Sequence, residues 1–155
     1  MADVSDVDAF LALNRESEDQ LWPLTETELT SMLQFAYHAV VTADGDAMLL
    51  AFDQSAPYAS PNFRWFKERY PRFAYVDRIA VTRAARGRGL ARGLYEELIA
   101  KARSDGHTMV CAEFYVEPPN HASAAFHAAM GFVEVGSSVI PDRGNKRISF
   151  VMRAL

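Results

Sequence analysis

Apolar residues recur at Val7, Phe10, Leu11 and Leu13, and again at Leu29, Met32, Leu33 and Ala36. That spacing lines one face of a helix. Each run has a start signal at capping-box spacing, Ser5 with Asp8 and Thr25 with Glu28, so two amphipathic helices are predicted first. "VVTADGDAMLLAF" then sets Asp44-Gly45 between two apolar runs, the signature of a β-hairpin. "YASPNFRWFKERYPR" carries Pro61, Pro71 and several aromatic residues and reads as a loop holding one short helical turn, a candidate substrate-facing segment. "FAYVDRIAV" (73–81) is a β-forming run interrupted by one acid and one base. The helix after it repeats Leu90, Leu94, Leu98, Ile99 and Ala102 on one face and stops at Gly106. "HTMVCAEFYV" is a strand closed by Pro118-Pro119. "NHASAAFHAAMG" is a short helix capped by Asn120, with Ala122, Ala125, Phe126, Ala129 and Met130 as its buried stripe. "FVEVGSSVI" and "KRISFVMRA" complete the pattern as strands around the turn "PDRGN".

Composition narrows the class. A chain of 155 residues, half of them hydrophobic, is long enough for one core and short for two domains. The acidic start "MADVSDVDAF" has no basic region leading into an apolar run, so no signal peptide is expected, and no apolar stretch approaches a membrane span. Cys111 is the single cysteine, which excludes an intrachain disulfide and a zinc site built from cysteine pairs. Neither acids nor histidines cluster at ligand spacing, so no metal is assigned. The cytoplasm is the expected compartment. A net charge of −4 argues against a nucleic-acid binder, which needs a broad basic surface. Positive charge is instead concentrated locally, in "VTRAARGRGLARGLYEEL", where Arg83, Arg86, Arg88 and Arg92 have no acid between them.

A strand entering a helix through a glycine-containing turn presents unpaired amides at the positive end of the helix dipole, a site for phosphate. Gly87 and Gly89 allow close approach to the backbone. The competing reading is a solvated basic loop. A phosphate loop of nucleotidases requires Gly-Lys-Ser/Thr, which is absent. A dinucleotide fingerprint requires glycine where Arg92 stands; Gly93 comes one place late.

Arg86-Gly87-Arg88-Gly89-Leu90-Ala91, between "DRIAV" and an amphipathic helix, resembles the loop that wraps the pyrophosphate of acetyl-CoA in the GCN5-related N-acetyltransferase (GNAT) superfamily. Asn120, Ser123, Phe126-His127 and Gly131-Phe132 resemble that family's later motif. The resemblance implies an α/β (α+β) fold, with a mixed, mostly antiparallel sheet flanked by helices, and residues 1–155 as one acyltransferase domain. It also implies a strand pair, "DRIAV" and "CAEFYV", splayed to hold the cofactor. Backbone groups of Ile79, Ala80 and Val81 would bond the pantetheine arm, and the amides of Gly87, Arg88, Gly89, Leu90 and Ala91 the pyrophosphate, with Arg86 and Arg88 as added charge. Asn120 would touch the arm or cap its helix, with Ser123 and Phe126 beside it. The implied activity is acetyl transfer from acetyl-CoA to an amine of a small molecule or peptide, without metal, nucleic acid or membrane. A homodimer is compatible with it. The alternative is a coenzyme A-binding module without turnover.

Direct attack on a thioester needs a base for the amine and a proton for the leaving sulfur. Strand alternation places Asp77 on one face with Tyr75, Ile79 and Val81, and Glu113 holds the corresponding position on the next strand; either carboxylate can be the base. Alternatively Asp77 pairs with an arginine and fixes a loop. His127 stands where the family often has tyrosine, and an imidazolium there would protonate the thiolate; otherwise it is a surface histidine, and Tyr115 is the next candidate. Residues of "NRESEDQLW" and "PYASPNFRWFKERYPRF" are expected to flank the acceptor.

Overall fold

The computed structural model describes residues 7–18, 21–117, 119–141 and 144–155. Ser5 of the first expected capping box, and Asp142 and Arg143 of the last turn, lie outside them. The order is α1 (Val7–Glu16), α2 (Glu26–Gln34), β1 (His38–Val41), β2 (Ala47–Asp53), α3 (Pro61–Lys67), β3 (Ala74–Val81), a 3-10 turn (Arg83–Ala85), α4 (Leu90–Ser104), β4 (Met109–Tyr115), α5 (His121–Ala129), β5 (Val133–Ile140) and β6 (Lys146–Ala154). The second capping box forms as expected: Thr25 Oγ1 accepts from the Glu28 amide at 3.1 Å and Glu28 reaches back to the Thr25 amide. The aromatic loop holds more than a helical turn. Its seven residues from Pro61 form α3, with proline at the start of the helix, where its missing N–H costs nothing.

The six strands run in the order β1-β2-β3-β4-β6-β5. Every neighbouring pair is antiparallel except β3–β4. That parallel pair meets only at Ala74 with Val110 and Tyr75 with Cys111. Beyond this point β3 runs on to Val81 and β4 to Tyr115 without pairing, so the middle of the sheet opens, and the edge of β3 that faces β4 keeps its backbone groups free for a ligand. This mixed, mostly antiparallel sheet with a split strand pair is the fold expected.

Each face of the sheet carries its own core. Phe10, Leu29, Phe52, Phe63, Phe66 and Tyr75 fill the side under α1, α2 and α3. Leu94, Tyr95, Leu98, Ile99 and Phe132 fill the side under α4, joined by half-buried Leu90, Ile79 and Val81. α3 is keyed to the sheet through Trp65, which stacks on Phe150 at 4.3 Å and lies over Gly136. A Cβ at Gly136 would stand 2.4 Å from the indole ring, so only glycine fits beneath it.

Two expectations of register are corrected. Ala51 pairs with Val76 and Leu50 with Arg78, so Asp77 is the extra residue of a β-bulge in β3. A bulge resets alternation: Tyr75 and Ala80 belong to the first core, while Ile79 and Val81 pack on the second. Asp77 therefore does not share a face with Ile79 and Val81. In α5, Ala122, Ala125 and Ala129 are exposed, and the covered positions are Ser123, Phe126, His127 and Met130. Five small alanines give that helix weak amphipathic contrast, so its larger residues set which way it faces. No helix among the described residues is long and apolar enough to cross a membrane.

Candidate active site

A cavity of about 500 Å³ occupies the split between β3 and β4 and draws its walls from both faces of the sheet. Tyr58, Asn62, Asp77, Glu113 and Tyr115 line it on the α1–α3 side; Tyr95, Phe114, Ser123 and His127 line it on the α4–α5 side. Leu21 and Trp22 come from the α1–α2 connection, and Ser60 and Pro61 from the start of α3. Both segments expected to flank the acceptor thus contribute to one space.

The two carboxylates have different surroundings. Asp77 Oδ1 accepts the Tyr58 hydroxyl at 2.8 Å and its Oδ2 accepts Arg78 Nε–H at 2.8 Å. The paired side chains are only 5% and 6% exposed. Arg78 Nη1 donates onward to Asn14 Oδ1 at 2.7 Å and to the Trp22 carbonyl at 3.3 Å, and Asn14 Nδ2 donates to the same carbonyl at 3.1 Å. The bulge is thereby tied to α1 and to the connection that follows it. Glu113 Oε1 accepts Tyr75 O–H at 2.7 Å and Asn62 Nδ2–H at 3.3 Å, while its Oε2 is buried with no partner. Burial pushes the Glu113 carboxyl up to about 8, against the stabilising bonds from Tyr75 and Asn62.

His127 is buried at 5% exposure. Its Nδ1 lies 2.8 Å from the Ser123 carbonyl, which can only accept, so that nitrogen carries the hydrogen. Nε2 is then an acceptor, 2.8 Å from the Tyr95 hydroxyl. Phe114 stacks on the imidazole and Phe126 and Phe132 present it their edges. Burial lowers its pKa below the ordinary histidine value, with the Ser123 carbonyl opposing, so the fold favours the neutral ring rather than the imidazolium.

The arginine-glycine stretch stands at the start of α4. Gly87 and Gly89 have φ of 80° and 76°, a left-handed conformation that side chains disfavour, and the space above both is open. Helical hydrogen bonding begins with Gly93 N–H to Gly89 O at 3.0 Å, which leaves the amides of Leu90, Ala91 and Arg92 without helical acceptors. Two arginines have acidic partners, one of them distant in sequence and the other one turn away on α4. Arg88 pairs with Asp46 at 2.9 Å and Arg92 with Glu96 at 3.0 Å; no ion pair among the described residues involves Arg83 or Arg86. Asn120 Oδ1 accepts the Ser123 amide at 3.1 Å and so caps α5. Ser123 reaches the cavity wall, whereas Phe126 supports it from behind, edge-on to Tyr95. Ala80 is buried, and Ile79 and Val81 half-buried, along the free edge of β3. No group of His, Cys, Asp and Glu among the described residues is arranged to hold a metal.

The Acetyltransferase (GNAT) family model matches residues 10–132. The chain belongs to that family. Its activity is acetyl transfer from acetyl-CoA to an amine. Solved structures share the fold at low identity. The ribosomal-protein-alanine N-acetyltransferase of Brucella melitensis is 22% identical at a TM-score of 0.72, covering 99% of this chain and 97% of its own. The ribosomal-protein-S18-alanine N-acetyltransferase of Escherichia coli is 17% identical at 0.70, with 99% and 90% covered. A Salmonella typhimurium protein solved with its cofactor acetyl-CoA is 19% identical at 0.72, with 99% and 91% covered. No curated protein sequence matches the chain.

Three cavity residues, and one hydrogen-bond partner of Glu113, were given no role from sequence. Tyr58 and Asn62 sit in a stretch read as loop. Tyr75 sits in a β-forming run. Tyr95 lies within the stripe of α4 and differs from its core neighbours only by its hydroxyl.

Gly89→Val tests the anion site. A β-branched residue at φ 76° is strained and its methyls would fill the open space over the amides. Calorimetry should show coenzyme A affinity reduced at least tenfold in a folded variant. Unchanged affinity would place the pyrophosphate elsewhere.

Proposed function

We propose that the protein acetylates a primary amine by direct attack on the thioester, with the acceptor on the α1–α3 side of the cavity and Glu113 as the base. The observation that carries this reading is the unpartnered Oε2 of Glu113 in a cavity that crosses the sheet at the split. Acetyl-CoA supplies the activated acyl group. The amides of Gly87, Arg88, Gly89, Leu90 and Ala91 hold its pyrophosphate, with Arg86 as the charge not taken up by a neighbouring acid. The free edge of β3 at Ile79, Ala80 and Val81 receives the pantetheine arm. Asn120 fixes the start of α5 so that Ser123 and His127 form the opposite wall. Asp77 holds the bulge through Arg78 and shapes the acceptor side without accepting the proton. This reading has the enzyme working in the cytoplasm.

The test is release of thiol from acetyl-CoA with a panel of alkyl amines, amino acids and peptides bearing an N-terminal alanine, the residue named for two structural neighbours. Turnover with any of them supports acyl transfer to an amine. Binding of coenzyme A with no turnover across the panel would favour a binding module instead.

A further inference from the structure

Breaking the thioester leaves an electron pair on sulfur, and a thiolate leaves more readily when a proton meets it. On the α4–α5 wall of the cavity the protic side chains are Tyr95, Ser123 and His127. His127 has no proton to give: its one N–H is committed to the Ser123 carbonyl and its other nitrogen is an acceptor. Ser123 Oγ lies 3.2 Å from Nδ1, on the side of the ring away from Nε2. The hydrogen between His127 and Tyr95 belongs to the phenol.

We propose that Tyr95 is the catalytic acid toward the departing sulfur, and that His127 is a positioning residue that holds the Tyr95 hydroxyl at the cavity wall. This rests on the acyl-transfer reading above. The tyrosine ring is fully buried and fixed edge-on by Phe126 at 5.3 Å and Phe132 at 5.6 Å, so the hydroxyl hydrogen is the part free to turn. In the resting site it points at a neutral nitrogen. A developing thiolate is a charged acceptor and draws it away.

The step balances. The amine nitrogen bonds to the acyl carbon and gives a proton to Glu113 Oε2. The carbon–sulfur bond breaks with its pair on sulfur, and the Tyr95 proton moves to sulfur to give the free thiol. As products leave, Glu113 returns its proton to water and the phenolate takes one back. Burial pushes the Tyr95 hydroxyl above its ordinary value, so this acid stays protonated throughout the working pH range.

Tyr95→Phe removes one oxygen and keeps the ring. With acetyl-CoA and an acceptor that the wild type uses, turnover should fall about a hundredfold, the scale of general acid catalysis, while coenzyme A affinity stays within twofold. A second readout separates chemistry from packing. On short acetyl thioesters, the variant's loss in kcat/KM should be at least tenfold smaller for an acidic aryl thiol, which leaves without a proton, than for an alkyl thiol. Equal losses on both thioesters, or unchanged turnover in a variant with a normal melting curve, would overturn the assignment of Tyr95. The parent reading is judged separately by wild-type turnover with the amine. If Tyr95→Phe does not fold, the thiol series on the wild type decides: a shallow dependence of rate on thiol acidity supports an enzymatic acid, and a steep one overturns it.

Discussion

Glu113→Gln is expected to lose turnover by about 10²–10⁴-fold, the range for a removed general base, with coenzyme A affinity unchanged. The pH profile should change in a defined direction. Glu113 can accept a proton only as a carboxylate, and burial has pushed its pKa from 4.5 up to about 8. Wild-type kcat/KM, corrected for ionisation of the acceptor amine, should therefore rise with pH through about 8 and then level off. The glutamine variant should lack that limb. Stability should move the other way. Between the two values the unfolded chain has ionised this group and the folded protein has not. The stability contributed by the neutral form is complete below about 4.5 and lost as pH rises through about 8. A separation of that size between the folded and unfolded chain makes the pH dependence a large one, on the order of a few kcal/mol. Glutamine stays neutral, so urea titrations should show the variant gaining on the wild type from pH 5 to pH 8. A wild-type stability that is flat across that interval would mean Glu113 is not held neutral.

The amphipathic helices, the hairpin and the glycine turn before α4 were legible because each has a local cause. Spacing sets an amphipathic face, Thr25 and Glu28 close a box within one turn, and Gly87 and Gly89 mark a left-handed turn before a helix. What was not legible depends on contacts distant in sequence or on small local offsets. The bulge at Asp77 adds one residue to β3 opposite Leu50 and Ala51, and "AYVDRIAV" reads as unbroken alternation without that partner. The pairing of Arg88 with Asp46 spans 42 positions and takes up one of the four arginine charges at the loop. The split between β3 and β4 was implied by family resemblance, not by any property of either strand alone. His127 was legible as a motif position but not in its state. An exposed histidine and a buried one look alike in sequence, and the rings packed around this one, Tyr95, Phe114 and Phe132, come from α4, β4 and the turn after α5.

Asp77→Ala is expected to destabilise the fold by about 3–5 kcal/mol, the usual result of leaving a buried charge without its partner. Arg78 would keep only Asn14 and the Trp22 carbonyl, both neutral, and the Tyr58 hydroxyl would lose its acceptor. Arg78→Met should cost a similar amount, because the carboxylate would then face the Tyr58 hydroxyl alone. The double variant Asp77→Ala/Arg78→Met should be more stable than the sum of the single losses predicts, since no charge remains buried; a urea-denaturation cycle gives that coupling. Strictly additive losses would mean that the two side chains do not act as a pair. Catalysis separates Asp77 from Glu113. Both Asp77 oxygens already accept hydrogen bonds, so the folded Asp77→Asn enzyme should retain the rise in kcat/KM near pH 8. Loss of that limb in Asp77→Asn, with the limb intact in Glu113→Gln, would make Asp77 the base and Glu113 a bystander.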